Sequence, residues 1–256
     1  MIQRKFVFSV IFANFNRIFM KELFEKIILL GRPASGKSEV IHYVKNLNLD
    51  ERRKRFHLGK IKDIDDFPML WTWFEEDDIL EKKFGKPRLH STSDGYFKEE
   101  YFWHLLIERI SLDYAKHVRD DKEKDLTYLI EFSRGTEHGG YWEAFKHLSS
   151  ELLNGAAIVY VNVPFEESLR KNRKRFNPDK PDSILEHGLP DSKLEKMYKE
   201  VDFHEVIKNS ATHININGIE VPYVIFENMP SKTDEPALLG PALDEVFGKL
   251  WKTYKK

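Results

Sequence analysis

The sequence predicts a three-layer α/β/α sandwich with a mostly parallel five-stranded sheet, and three observations carry that expectation. A short apolar run, residues 27 to 30, enters a glycine-framed loop that opens into a stretch with helical periodicity. Five strand candidates alternate with helical segments along the chain. The most apolar of them, Ala156-Ala157-Ile158-Val159-Tyr160-Val161-Asn162-Val163, stops at Pro164 and is followed by another helix. Strands that alternate with helices pair in parallel through right-handed crossovers and carry helices on both faces.

Residues 1 to 19 are basic and aromatic, and they superficially resemble a signal peptide. Asn14 and Asn16 interrupt the apolar run, no small-residue cleavage site follows, and the stretch is too short to span a bilayer. It is therefore expected to be an upstream extension of the kind a choice of start site produces, with a single domain over 20 to 256. Ile27 to Leu30 then have the length and branching of a buried parallel strand. The loop Gly31-Arg32-Pro33-Ala34-Ser35-Gly36-Lys37-Ser38 follows, and Val40, Ile41, Tyr43, Val44 and Leu47 continue at helical spacing. Strand, glycine loop and helix in this order form a phosphate-binding loop. Backbone N–H groups of residues 31 to 37 would cradle phosphates, helped by the helix dipole, and a Cβ at Gly31 or Gly36 would obstruct the curl. Lys37 would place its charge between the phosphates, and the Ser38 hydroxyl would ligate Mg²⁺.

A second strand is expected at Arg55 to Gly59, running into Asp63, Asp65 and Asp66. Carboxylates at that end of an open α/β sheet sit on the ligand-binding rim. Asp66 before Pro68 is equally a helix N-cap pattern, and both readings stand. Residues 67 to 84 carry Phe67, Leu70, Trp71, Phe74, Ile79 and Leu80 at helical spacing, foremost as a core face; Trp71 or Trp73 could instead stack on a substrate ring. Glu75 to Asp78 form an acidic patch. A helix from Lys98 to Arg119 leads to the third strand, Leu126 to Ile130, which ends in Glu131-Phe132-Ser133-Arg134. An apolar run that closes on an acid suits a carboxylate in the Mg²⁺ shell. Arg134 would clamp phosphate or pair with Glu131 or Glu137.

A helix at Tyr141 to Leu153 precedes the fourth strand. The helix after Pro164 ends in Arg170-Lys171-Asn172-Arg173-Lys174-Arg175 and runs into a proline-rich loop. Asn217-Gly218 between Ile214/Ile216 and Ile219/Val221 marks a tight hairpin, Tyr223 to Phe226 form the last strand, and Pro241 to Tyr254 form an amphipathic terminal helix.

Composition disfavours nucleic-acid binding and removes cysteine chemistry. A net charge of −1, with 41% hydrophobic and 32% charged residues, describes an ordinary folded protein and offers nucleic acid no electrostatic footprint. No cysteine occurs, which removes disulfides, thiolate nucleophiles and cysteine metal sites. The ten histidines are scattered without a ligand-spaced pair on one helix, so no zinc site is expected. A cytoplasmic location without a membrane partner fits this composition.

On Gly31-Arg32-Pro33-Ala34-Ser35-Gly36-Lys37-Ser38, the acidic end of strand two, Glu131 to Arg134 and the run from Ile158 to Arg175, the chain resembles the P-loop kinase superfamily. The likeness is to nucleoside and nucleotide kinase-like proteins and their zeta-toxin and shikimate-kinase relatives, over residues 20 to 230. It implies a P-loop NTPase fold, ATP and Mg²⁺ as cofactors, and a small-molecule acceptor, nucleoside or nucleotide first. It also implies that an acid after strand two meets the acceptor and that arginines after strand four form a lid, here at about 170 to 194. Arg170, Arg173 and Arg175 match that lid by position, although their spacing departs from R-x-x-x-R. The resulting expectation is an ATP- and Mg²⁺-dependent phosphotransferase. Lys37 would act on the transferring phosphate, Ser38 and Glu131 would hold the metal, Asp65 or Asp66 would be the acceptor base, and Arg134, Arg170 and Arg173 would be clamps. The rival is a nucleotide-dependent switch or GTPase, for which Ser231-Lys232-Thr233-Asp234 resembles a guanine-reading N-K-x-D with serine in place of asparagine.

Overall fold

The computed structural model describes residues 22–175, 179 and 188–255. The N-terminal extension and part of the proposed lid, residues 176–178 and 180–187, lie outside the described residues. In chain order the elements are β1 (Lys26–Gly31), α1 (Lys37–Asn46), α2 (Leu49–Phe56), β2 (Lys60–Asp65), α3 (Phe67–Phe84) and α4 (Tyr101–Asp120). Next come β3 (Leu126–Phe132), a 3-10 turn (Thr136–His138), α5 (Gly140–Lys146), α6 (Ser150–Leu153), β4 (Ala156–Asn162) and α7 (Phe165–Arg175). The chain then forms α8 (Asp191–Tyr198), α9 (Phe203–Val206), β5 (His213–Ile216), β6 (Ile219–Glu227) and α10 (Pro236–Tyr254).

These strands make a mixed sheet in the order β2-β3-β1-β4-β6-β5. All neighbours are parallel except β5, which pairs antiparallel with β6 across the Asn217-Gly218 turn. The sheet thus has six strands where five were expected, because the first arm of the hairpin joins it as an edge. From β1 the chain crosses to one side to make β2 and β3, then returns past β1 to make β4. This reversal opens a crevice beyond the carboxyl ends of the central strands, where open α/β sheets bind ligands.

β1 is buried over its whole length, and its side chains divide the protein into layers. Ile28 and Leu30 face a core shared with Ile107, Ile110 and Tyr114 of α4 and with Tyr141 and Phe145 of α5. Ile27 and Leu29 face the opposite core, built with Val40, Val44, Phe56 and the α10 residues Leu243, Phe247 and Trp251. Each fully buried aliphatic or aromatic side chain here contributes about 1.5–3 kcal/mol.

The second strand lies later than expected. Residues 49–56 are helical because Asn48 caps them, its Oδ1 accepting the Glu51 amide at 2.9 Å, and His57 ends the turn in the left-handed region at φ 55°. Phe56 packs at 5.4 Å between centroids on Phe247. The actual β2, Lys-Ile-Lys-Asp-Ile-Asp, is an edge strand in which only Ile64 is buried. Charged edge strands discourage pairing with other chains and lack an apolar signature. The helix expected over 141–153 is interrupted between α5 and α6, where the Ser149 hydroxyl accepts the Leu152 amide at 3.2 Å and starts the second piece.

Phe247→Ala should lower stability by about 3–5 kcal/mol, whereas Phe84→Ala should stay within about 0.5 kcal/mol. Phe247 is 2% exposed and Phe84 is 66% exposed. Urea-unfolding midpoints compared at constant m-value decide between this layer assignment and one in which α10 is peripheral.

Candidate active site at the carboxyl ends of the central strands

The loop between β1 and α1 is held through its carbonyls, from behind by Ser168 and Asn228 and from the cavity side by Lys37. Lys37 Nζ donates to the carbonyls of Gly31 (3.2 Å) and Arg32 (2.9 Å), Ser168 Oγ to Pro33 O (2.7 Å), and Asn228 Nδ2 to Ser35 O (2.8 Å). The Gly31 amide donates to the Tyr141 hydroxyl at 3.1 Å, and burial keeps that phenol protonated by raising its pKa well above the ordinary value. Arg32 turns outward to the carbonyls of Val163, Tyr198 and Lys199 at 2.9–3.0 Å. The two glycines are required by this backing. A Cβ on Gly31 would lie 2.6 Å from Val161 O, and one on Gly36 2.8 Å from Asn228 Nδ2. Gly36 also sits at φ 113°. It caps α1 with no side-chain acceptor, so the first amides of that helix lack intrahelical partners.

In front of the loop lies a cavity of about 770 Å³ lined by Lys37, Ser38, Asp65, Asp66, Glu131 and Arg134 among others. The parallel register places Asp65 beside Glu131 and Glu131 beside Leu29, one strand from the loop. Lys37 Nζ donates to Ser133 Oγ at 2.8 Å and stands 3.7 Å from Glu131 Oε1. Burial lowers the Lys37 pKa, with Glu131 opposing, and burial raises that of Glu131, with Lys37 opposing. Asp65 faces the cavity and is enclosed by protein behind; burial, Asp66 and Glu131 together push it up to about 7. Its Oδ1 accepts the Phe67 amide at 3.0 Å and so orients the carboxylate.

The remaining predicted residues divide. Asp66 and Arg134 form a buried pair at 2.7 Å, and Arg134 donates further to the carbonyls of Ser133 and Trp103. The partner of Arg134 is therefore Asp66 rather than Glu131 or Glu137, and this arginine braces the rim. Asp66 stands at the N-cap of α3 but makes no side-chain cap bond. Arg170 and Arg173 do not reach the cavity: Arg170 pairs with Glu167 and Asp234, Arg173 with Asp191. The inward face of α7 instead carries Ser168, Lys171, Asn172 and Arg175, of which the last three line the cavity. Their i, i+3, i+4, i+7 spacing was a legible signal, since it marks one helix face. Lys171 is 6% exposed and donates to Thr233 Oγ1. Asn228 had no sequence signal; its role arises from β6 ending beside the loop. Within Ser231-Lys232-Thr233-Asp234, Asp234 is engaged by Arg170 and Lys174, and Lys232 Nζ by Glu227 O.

An apolar wall completes the cavity with Phe67, Leu70 and Phe74 of α3, Tyr96, Phe97 and, from α4, Trp103. Trp71 and Trp73 are not part of it; Trp73 stacks on His90 at 5.0 Å. Asp77, read from the sequence as part of an acidic patch, is fully buried and organises the segment that supplies Tyr96 and Phe97. Its carboxylate accepts the amides of Leu89, His90 and Ser91 and the Ser91 hydroxyl at 2.5–2.9 Å. Burial opposes its ionisation, but these hydrogen bonds prevail and hold its pKa down to about 2.

No protein-family model and no curated protein matches the chain. Among solved structures, the crystal structure of APE1195 aligns over 88% of this chain and 98% of its own at 10% identity, with a TM-score of 0.37. An unliganded sugar kinase from Janibacter sp. HTCC2649 aligns over 88% and 97% at 11% identity, also with a TM-score of 0.37. At such distances the function has to be argued from the site.

The raised Asp65 pKa has a stability consequence of definite sign. Its ordinary value is 3.8 and its folded value about 7, so between those pH values the folded state holds a proton that the unfolded state releases. The favourable contribution is full below about pH 4 and is lost as pH rises through about 7. Asp65→Asn should therefore raise stability at pH 8 by about 1 kcal/mol after screening by cavity water, roughly 2–4 °C in Tm. The gain should vanish near pH 4, and thermal melts across pH check it; a gain that is constant with pH would place Asp65 outside this charge cluster.

Proposed function

We propose that the chain is a P-loop kinase, an ATP- and Mg²⁺-dependent phosphotransferase with a small acceptor bearing a flat apolar group, nucleoside or nucleotide first. The observation that carries this reading is the loop of residues 31–38, its Pro33 and Ser35 carbonyls tied to donors behind it, Lys37 on its cavity side and its helix amides left for an anion, facing an acid cluster across one cavity. Residues 20–256 would form the catalytic domain.

The side chains present fit both cofactors. Ser38 is exposed to the cavity, and the crowding that raises Asp65 and Glu131 is relieved by a hard dication with oxygen ligands. Ser38 and Glu131 would hold Mg²⁺, which when bound neutralises charge on the phosphates. Lys37 would exchange its contacts with the loop carbonyls for phosphate oxygens, and Lys171 and Arg175, rather than Arg170 and Arg173, would meet the triphosphate from α7. Asp65, poised near neutrality and oriented by the Phe67 amide, would take the acceptor hydroxyl's proton as the new oxygen–phosphorus bond forms and ADP leaves. Asp66 and Arg134 would keep that rim in place. The wall from Phe67 to Trp103 supports a ring-bearing acceptor, since flat apolar surfaces suit aromatic side chains. The GTPase reading loses its base-reading acid, because Asp234 is ion-paired with Arg170 and Lys174.

Transfer of radiolabelled γ-phosphate from ATP to a panel of nucleosides and nucleotides tests the proposal. Lys37→Ala should fold normally and lose at least about 10²-fold in turnover. Glu131→Gln should require more Mg²⁺ and slow transfer far more than it weakens ATP binding. Full activity in folded Lys37→Ala, or no ATP binding by the unaltered chain, would defeat the assignment.

A further inference from the structure

On the outer side of α4, away from the cavity, two helices bring together a donor set that their separate sequences conceal. α4 contributes His104 and, one turn on, Glu108. α5 contributes Glu143 and, at its C-cap, His147. The ligand atoms of His104, Glu143 and His147 all lie within 4.8 Å of one another. We propose that these three residues bind a divalent transition-metal ion of the zinc class and that Glu108 orients one of the ligands.

The arrangement of His147 supports this most directly. Its Nδ1 lies 3.0 Å from Glu108 Oε1. An ionised carboxylate only accepts, so Nδ1 carries the hydrogen and Nε2 keeps its lone pair. Nε2 is the atom that faces Glu143, at 3.8 Å from Oε1. A carboxylate that fixes the tautomer of a ligating histidine is the usual outer shell of a protein metal site. Lys146 holds the other Glu143 oxygen at 2.5 Å, which leaves Oε1 turned to the histidines. His104 completes the set by stacking on His147 with centroids 4.7 Å apart and planes 9° from parallel.

Donors bound at about 2.0–2.2 Å in a tetrahedron lie roughly 3.3 Å apart, so no pair in the cluster must contract by more than about 1.5 Å. All three side chains are only partly buried and have room to rotate. Two imidazoles and one carboxylate select zinc-like ions over Mg²⁺ or Ca²⁺, which prefer oxygen throughout. With three protein ligands at the surface, water would fill the fourth position. An ion here would staple α4 to α5 one residue from Trp103, whose carbonyl accepts Arg134 Nη2 at 3.0 Å. The site shares no residue with the cavity lining, so it would stabilise the rim without touching the reaction.

The test is titration of the metal-free full chain with Zn²⁺ by calorimetry and with Co²⁺ by visible absorption, beside thermal melts. The expected result is a tight equivalent that raises Tm and gives tetrahedral Co²⁺ bands. The His104→Ala/His147→Ala double variant should lose it, Glu108→Gln should weaken it by about 10–100-fold, and Glu131→Gln should retain it. Circular dichroism establishes that the double variant is folded; if it is not, Glu143→Gln gives the same reading through lost affinity. Zinc affinity, stoichiometry and Tm shift unchanged in the folded double variant or in Glu143→Gln, or no Zn²⁺ bound by the unaltered chain, would overturn the proposal and leave a plain helix contact.

Discussion

The cavity depends on the direction in which the carbonyl groups of residues 31–35 point. A peptide unit that turns its oxygen to one side turns its N–H toward the other, so donors behind the loop decide what its front can bind. Those donors come from far apart in the chain: Ser168 from a crossover helix, Asn228 from beyond the last parallel strand, Lys37 from the loop's own helix, while Tyr141 accepts the Gly31 amide. The loop's shape is therefore a property of the assembled sheet. Its glycines answer to the same constraint, because the groups a Cβ would strike are Val161 O and the Asn228 side chain.

The second organising feature is an imbalance of charge. Among the described residues, Asp65, Asp66 and Glu131 crowd together beside Lys37, which stands near Glu131, and Arg134, which stands near Asp66. Arg134 pairs with Asp66 at 2.7 Å, while Lys37 stands at 3.7 Å from Glu131 and divides itself among carbonyls and Ser133. Crowding like charges so close together at a partly enclosed rim is costly unless protons or cations relieve them. The fold tolerates the strain at the place where the chemistry would use it.

Much of this was legible in the sequence. β1, its loop and α1 announced themselves through local pattern, as did the Asn217-Gly218 hairpin and the amphipathic face of α10, because each is set by residues adjacent in the chain. What escaped depends on distant partners. β2 carries too much charge to look like a strand and is recognisable only by its pairing with β3. Arg170 and Arg173 looked equivalent to Arg175 until the orientation of α7 separated them. Asp77 has the surroundings of a surface acid in sequence, yet three amides twelve to fourteen positions away define it. His104 and His147 are separated by a strand and a helix and meet only in three dimensions.

The burial of Asp77 also divides the cavity into two parts with different freedom to change. The glycine loop is tied into nearly every layer, so few of its contacts can be altered singly. The wall that supplies Tyr96 and Phe97 hangs from one carboxylate through backbone amides of residues 89–91, and amides are offered by any residue except proline. Apart from Ser91 and Thr92, whose hydroxyls bond Asp77 and the Tyr96 backbone, side chains along that segment can therefore be exchanged while its path is kept. Under the proposed function, an engineer could reshape the aromatic wall there and leave the glycine loop as it stands, with Asp77 at the joint between the two.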